Sequence, residues 1–306
     1  MTAWLFPGQG SQRPGMANGF SHCRALVSSA EGMLGTPIRW VCSSPSNNVW
    51  PADLVQPAIF LTDFGGALSL FELGHKPDAV LGHSLGEYAA LVVAGSLSFE
   101  DGLTLVAARG RAMMRAGRMQ AGGMAAVLGL EASRIQEICE ADGGVWVANL
   151  NSPLQTVISG SDQSLASSAK HLKEAGGRVV RLEVPVAAHT PLMKPAAEEM
   201  SALLEEVVIE PPQTQFFSSV DGSAHEDPAE IKRLLVEQIV APVRFEVSVR
   251  SVADTGIDRF LEVGPGDVLS GLVRRILPEA RVDQVNDDRQ AREVALGESI
   301  ESGVRR

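Results

Sequence analysis

The 306-residue sequence predicts a mixed α/β fold: a large domain with a mainly parallel sheet, carrying a small inserted subdomain of βαββαβ order. Three observations predict it. Short apolar runs alternate with helical patterns along the chain, as strands and their covering helices do. One such run, Asp78-Ala79-Val80-Leu81, leads at once into a glycine-flanked turn and then a helix-favouring stretch. Between about residues 120 and 187 the order becomes strand, helix, strand, strand, helix, strand, the ferredoxin-like unit. At 45% hydrophobic, the chain can bury one large core, or one large and one small.

Taken in order, Trp4-Leu5-Phe6 reads as a short buried strand stopped by Pro7-Gly8. Residues 87 to 94 favour helix, and Phe99 to about Arg115 reads as a second, amphipathic one. Gln120-Ala121-Gly122-Gly123 reads as a hinge, so the large domain is expected over 1–119 and 188–306 and the small one over 120–187. Inside the insert, 124–128, 145–148, 156–158 and 179–182 read as strands, with helices over 132–140 and 162–175. Gly176-Gly177 is suited to cap the second of these. Beyond it, Pro191 to Val207 reads as helical. Asp227-Pro228-Ala229-Glu230 is a helix start, with an N-cap, a proline in the first turn and a glutamate three residues after the cap. That helix is expected to run to about Val240, before Pro242, and the polar tail from about 284 is expected to fray.

A formal net charge of -11 argues against nucleic acid, because phosphate binding needs a basic face. Basic residues able to meet an acidic partner are still available locally at Arg109, Arg111, Arg115 and Arg118. The three cysteines, Cys23, Cys42 and Cys139, are odd in number and contain no CxxC, so neither a disulfide framework nor a zinc site is expected. The N-terminus lacks a charged start followed by a long apolar run, and no apolar stretch reaches the roughly 18 residues of a membrane span. A cytoplasmic protein without membrane contact is expected.

The chemistry is concentrated at Gly82-His83-Ser84-Leu85-Gly86, a GxSxG between a predicted strand and a predicted helix. In that setting a sharp turn projects the serine hydroxyl from the sheet, and the helix N-terminus offers free N–H groups to a developing oxyanion. The pattern alone also fits an ordinary tight turn. A serine nucleophile needs a base, and six histidines are available. His83 adjoins the serine, but neighbours on such a turn point apart. His171 lies on a polar helix, while His22, His75 and His225 fall in loops. His189 follows the last strand of the insert, where the chain returns to the large domain beside a cleft. A helix-start or core histidine is the alternative reading there.

Three segments then carry a resemblance: Phe6-Pro7-Gly8-Gln9-Gly10-Ser11-Gln12, Gly82-His83-Ser84-Leu85-Gly86-Glu87-Tyr88 and Ala188-His189-Thr190-Pro191-Leu192-Met193. In this order they resemble the malonyl-CoA:acyl-carrier-protein transacylases and the related acyltransferases of polyketide synthases. Asn149-Leu150-Asn151-Ser152-Pro153, Pro242-Val243-Arg244-Phe245 and Glu262-Val263-Gly264-Pro265-Gly266 extend it from residue 4 to about 275. The resemblance implies a large domain of hydrolase-like character with a ferredoxin-like subdomain.

It also implies roles. Ser84 would be the nucleophile and His189 its base, with the N–H groups of Gln9 and Leu85 as oxyanion hole. The main-chain carbonyl of Gln238 would orient the histidine in place of a carboxylate. Arg109 would grip the free carboxylate of a malonyl group, unless it is a helix-surface arginine like Arg111 and Arg115. Ala188, where relatives carry Phe or Ser, would line the acyl pocket with Met124 and leave room for a bulkier group. Phe216-Phe217-Ser218-Ser219-Val220 looks more like the polyketide branch. The implied reaction is ping-pong transfer from a coenzyme A thioester to the phosphopantetheine thiol of an acyl carrier protein, by a monomer with no metal and no bound cofactor. An acyl hydrolase and a non-catalytic carrier-docking module are the competing readings.

Overall fold

The computed structural model describes residues 1–43 and 50–297. Strand β1 (Thr2–Phe6) is followed by helices α1 (Cys23–Leu34), α2 (Arg39–Ser43) and α3 (Ala52–Glu72). Strand β2 (Ala79–Gly82) leads into α4 (Gly86–Val93) and α5 (Phe99–Met119). Next come β3 (Gly122–Leu128), α6 (Ala132–Asp142), β4 (Val145–Ser152), β5 (Gln155–Ser161), α7 (Asp162–Glu174) and β6 (Arg178–Arg181). A 3-10 turn at Pro191–Met193 precedes α8 (Lys194–Glu206), β7 (Gln215–Phe217), β8 (Ala224–His225), α9 (Pro228–Glu237) and α10 (Phe245–Asp254). The described chain closes with β9 (Arg259–Val263), α11 (Val268–Ile276), β10 (Arg281–Val285) and α12 (Asp288–Ala295).

The predicted mixed α/β fold is observed, with two separate sheets. Six strands order as β10-β9-β1-β2-β7-β8, parallel throughout except for β8 against β7. Side chains alternate across a strand, and here both faces are covered. Trp4, Phe6, Val80, Phe216 and Leu261 enter the core under α3, α4 and α5, while Leu5, Leu81, Phe217 and Phe260 pack against α10 and α11. The second sheet, β4-β5-β3-β6, is antiparallel. Val127, Val147 and Ile158 on one of its faces bury α6 and α7. Met124, Ala126 and Val157 on the opposite face join the core of the first sheet.

Several expectations need correction. Gly122 and Gly123 are no hinge: they pair with Ser161 and Gly160 as the first residues of β3. The helix begun at Asp227 ends at Glu237, and residues 238–241 form a turn. The tail does not fray up to residue 297. Ala291 and Val294 of α12 are buried, and Asp288 accepts hydrogen bonds from the Ser69 hydroxyl at 2.6 Å and the Ser21 N–H at 2.9 Å. Residues 298–306 lie outside the described chain. Among the described residues one helix, the 21-residue α3, is long and apolar enough to cross a bilayer, with a mean hydropathy of 1.4 over an 18-residue window. It is instead an interior helix, and its apolar side chains pack beneath the sheet.

Candidate active site

β2 ends at Gly82 and α4 starts at Gly86, so three residues must reverse the chain. The two glycines are steric necessities. A Cβ on Gly82 would strike the backbone of Gly86 and Glu87, and one on Gly86 would strike the carbonyls of Phe6 and Pro7. Squeezed between them, Ser84 takes φ 54°, a left-handed conformation that costs a non-glycine residue about 1–3 kcal/mol. Among the described residues only one other non-glycine has positive φ, His189 at 60°. These two strained residues face each other.

The Ser84 Oγ lies 3.0 Å from His189 Nε2. On the far side of the ring, Nδ1 is 2.7 Å from the main-chain oxygen of Gln238. That oxygen can only accept, so Nδ1 carries the hydrogen and Nε2 presents its lone pair to the serine hydroxyl. The backbone N–H of His189 donates to the Ile239 oxygen at 3.2 Å, fixing the ring from behind. Both residues are buried. Burial first, and the Arg109 cation second, pull the imidazole down to about 3, with the Gln238 carbonyl opposing them. The histidine is therefore neutral at physiological pH, with the Nε2 lone pair free to accept a proton.

Arg109 enters from the middle of α5 and is 1% exposed. Its Nη1 donates to Gln56 Oε1 at 3.0 Å, and its Nη2 donates to Ser84 Oγ at 2.9 Å and to Gln238 Oε1 at 3.1 Å. All three acceptors are neutral. Burying a cation without a directly bonded carboxylate costs several kcal/mol, so the site is primed for an anion. Gln9 reaches the same place from the turn after β1, its Oε1 3.4 Å from Gln56 Nε2. Neither the Gln9 nor the Leu85 N–H has a backbone or side-chain acceptor among the described residues. A cavity of about 230 Å³ opens onto Ser84, His189 and Arg109, and Gln9, Met113, Met124, Ala126, Val157, Val186 and Ala188 share its wall.

An acyl transferase domain family matches residues 3–295. The malonyl CoA-acyl carrier protein transacylase of Bacillus subtilis is 37% identical over 295 residues, covering 93% of both chains. The chain belongs to the acyl transferase domain family. Among solved structures, the malonyl CoA-acyl carrier protein transacylase (FabD) of Coxiella burnetii superposes on this acyl transferase with a TM-score of 0.93. It is 32% identical and covers 97% of this chain and 98% of its own. A second neighbour is a malonyl-transacylase in complex with its type II PKS acyl-carrier protein. Its TM-score is 0.92 at 32% identity, covering 97% of this chain and 99% of that one.

Of the residues expected from the sequence, the acyl transferase brings Ser84, His189, Arg109, Gln238, Gln9, Ala188 and Met124 to one place. Leu85 is the buried residue immediately after Ser84. Arg109 does not join Arg111, Arg115 and Arg118 in a surface patch: it is buried, and Arg115 is paired with Glu199. His83 does point away from the serine, as expected of a neighbour on the turn. Its Nε2 lies 2.9 Å from Asn151 Oδ1 and 3.3 Å from Asn149 Nδ2. Sequence reasoning missed Gln56, which the long apolar α3 delivers to Arg109. It also missed the Gln238 side chain, whose Nε2 donates to the Ser84 carbonyl at 3.0 Å. A glutamine inside an otherwise apolar run, Val55-Gln56-Pro57, was the available signal for the first. The second had none.

Proposed function

We propose that this acyltransferase moves a malonyl group from coenzyme A to the phosphopantetheine thiol of an acyl carrier protein, through an ester on Ser84. One observation carries the reading: the Ser84 hydroxyl sits between a neutral His189, 3.0 Å away, and the guanidinium of Arg109, 2.9 Å away. His189 takes the hydroxyl proton as Ser84 attacks the thioester carbonyl. The free N–H groups of Gln9 and Leu85 receive the oxyanion. His189 then returns the proton to the departing coenzyme A thiol. In the second half the carrier's thiol enters, gives its proton to His189 and takes the acyl group. Throughout, Arg109 makes a bidentate pair with the free carboxylate, which selects dicarboxylic acyl groups.

The carrier partner is supported by the neighbouring malonyl-transacylase solved with its acyl-carrier protein. Residues 120–187 are read as a subdomain that supplies one wall of the acyl chamber. The protein is taken as a monomer in the cytoplasm, and three free, buried cysteines support a reducing setting. A second reading, a bulkier acyl group from a polyketide pathway, is favoured by the apolar wall and the small Ala188 beside His189. Hydrolysis is disfavoured by the burial of Ser84.

Incubation with a panel of acyl-CoAs, followed by intact-mass measurement, tests the reading. Malonyl-CoA is expected to leave one malonyl adduct, absent from Ser84→Ala and discharged by a holo acyl carrier protein. No adduct with any donor, or an adduct retained by Ser84→Ala, would end it.

A further inference from the structure

The N–H donors of Arg109 are nearly sealed from bulk water, so what they meet decides what the cavity will accept. Nη1 donates to Gln56 Oε1 at 3.0 Å, and Nη2 donates to Gln238 Oε1 at 3.1 Å and to Ser84 Oγ at 2.9 Å. Nε has no partner among the described residues. Every acceptor is an uncharged oxygen. Glu87 and Tyr88 lie within electrostatic range of the guanidinium, but among the described residues neither makes a hydrogen bond or ion pair with it.

Gln56 is fully buried on α3. Its amide oxygen takes the place of a carboxylate oxygen in shape, but it brings no charge. The other end of the amide is loosely held: Nε2 lies 3.4 Å from Gln9 Oε1 and 3.6 Å from Met113 Sδ. A carboxylate at this position would keep the contact with Nη1, and Gln9 can turn its own amide to meet the second oxygen. Gln238 is not free in the same way. Its Nε2 donates to the Ser84 carbonyl at 3.0 Å, so a carboxylate there would set two oxygens face to face.

We infer that Gln56 is a specificity-determining residue: its uncharged oxygen holds Arg109 in place without neutralising it, so the acyl group must supply the anion. This rests on the carboxylate-binding role of Arg109 proposed above. A resident carboxylate at position 56 would itself complete the buried ion pair. A dicarboxylic acyl group would then bring a second anion to a cation already paired, whereas an acetyl group would meet a neutral site. The choice between an amide nitrogen and a carboxylate oxygen thus sets the class of cargo.

The test is Gln56→Glu, assayed with malonyl-CoA and acetyl-CoA at about pH 8, where a carboxyl beside a cation is ionised. The kcat/KM for malonyl-CoA falls at least ~30-fold relative to that for acetyl-CoA, the scale of one uncompensated buried charge. A merely structural glutamine would lower both donors alike. Gln56→Met, uncharged and of similar length, retains the preference for malonyl-CoA. An unchanged donor ratio in Gln56→Glu, or the same fall in Gln56→Met, overturns the inference. Should Gln56→Glu not fold, the unaltered protein decides with malonamoyl-CoA, in which an amide replaces the free carboxylate. An Arg109 held only by neutral oxygens leads to transfer of malonamoyl at least ~30-fold poorer than of malonyl; equal transfer overturns the inference. Failure of the Arg109 role is visible separately, as equal loss of malonyl and acetyl transfer in Arg109→Ala.

Discussion

The Nδ1–H of His189 meets a carbonyl, not a carboxylate, and the Arg109 guanidinium shares its serine. The carbonyl favours an imidazolium less than a carboxylate would and Arg109 opposes one, so burial and Arg109 carry the ring down to about 3. In the proposed cycle the acid limb of kcat/KM for acyl-enzyme formation therefore lies well below the ordinary histidine value near 6.5. Arg109→Gln removes one cause of the depression, so the limb moves up in a pH–rate profile of an uncharged donor. The same group makes folding acid-sensitive. Its folded pKa is depressed, so its contribution to stability is present above about 6.5 and lost as pH falls toward 3. At this scale legibility followed residue identity. Ser84 and His189 stood out as candidates because a hydroxyl nucleophile and an imidazole base are side-chain chemistry that few residue types offer. The Gln238 carbonyl carried no such mark, since every residue has one, and only the resemblance pointed to it.

α4 begins where Gly86 packs against the Phe6 and Pro7 carbonyls, directly after the turn that holds Ser84. Gly86→Ala would drive a methyl into the Phe6 and Pro7 backbone, neither of which can yield without shifting β1. We expect a loss of more than about 3 kcal/mol in denaturant unfolding, together with loss of acyl-enzyme formation. A variant of ordinary stability would show that the turn has room to relax. Other elements were harder to read. α3 is apolar nearly all round, so it has no amphipathic stripe to betray its period, and the sequence reading passed over it. α12 was mistaken for a fraying tail because most of its residues are polar. Its two buried side chains and the Asp288 hydrogen bonds to Ser21 and Ser69 hold it, and those partners are more than 200 positions away.

Across the molecule, the cavity beside Ser84 exists only where the two sheets meet. Met124, Ala126 and Val157 come from the antiparallel sheet, Val186 and Ala188 from the returning chain, and Met113 from α5. Backbone hydrogen bonds close the seam: Leu150 N–H to the Val243 oxygen at 2.8 Å and Val243 N–H to the Ala148 oxygen at 2.9 Å. The βαββαβ order was legible from the alternation of short strands and helices, but which of its faces turns inward was not, because both faces are apolar. Filling the chamber should sort substrates by size. Ala188→Phe is expected to cut kcat/KM for branched or long acyl-CoAs at least tenfold, about 1.4 kcal/mol, and to spare malonyl-CoA. An unchanged donor profile would remove Ala188 from the acyl path. Gln238 stands in the opposite position, lending its carbonyl to His189 and its side chain to both Ser84 and Arg109. A change there disturbs His189, Ser84 and Arg109 together, whereas Ala188, Ala126 and Val157 have apolar side chains that hydrogen-bond to nothing. The wall can thus be reshaped one side chain at a time without touching a hydrogen bond, whereas any replacement of the glutamine must answer for three contacts at once.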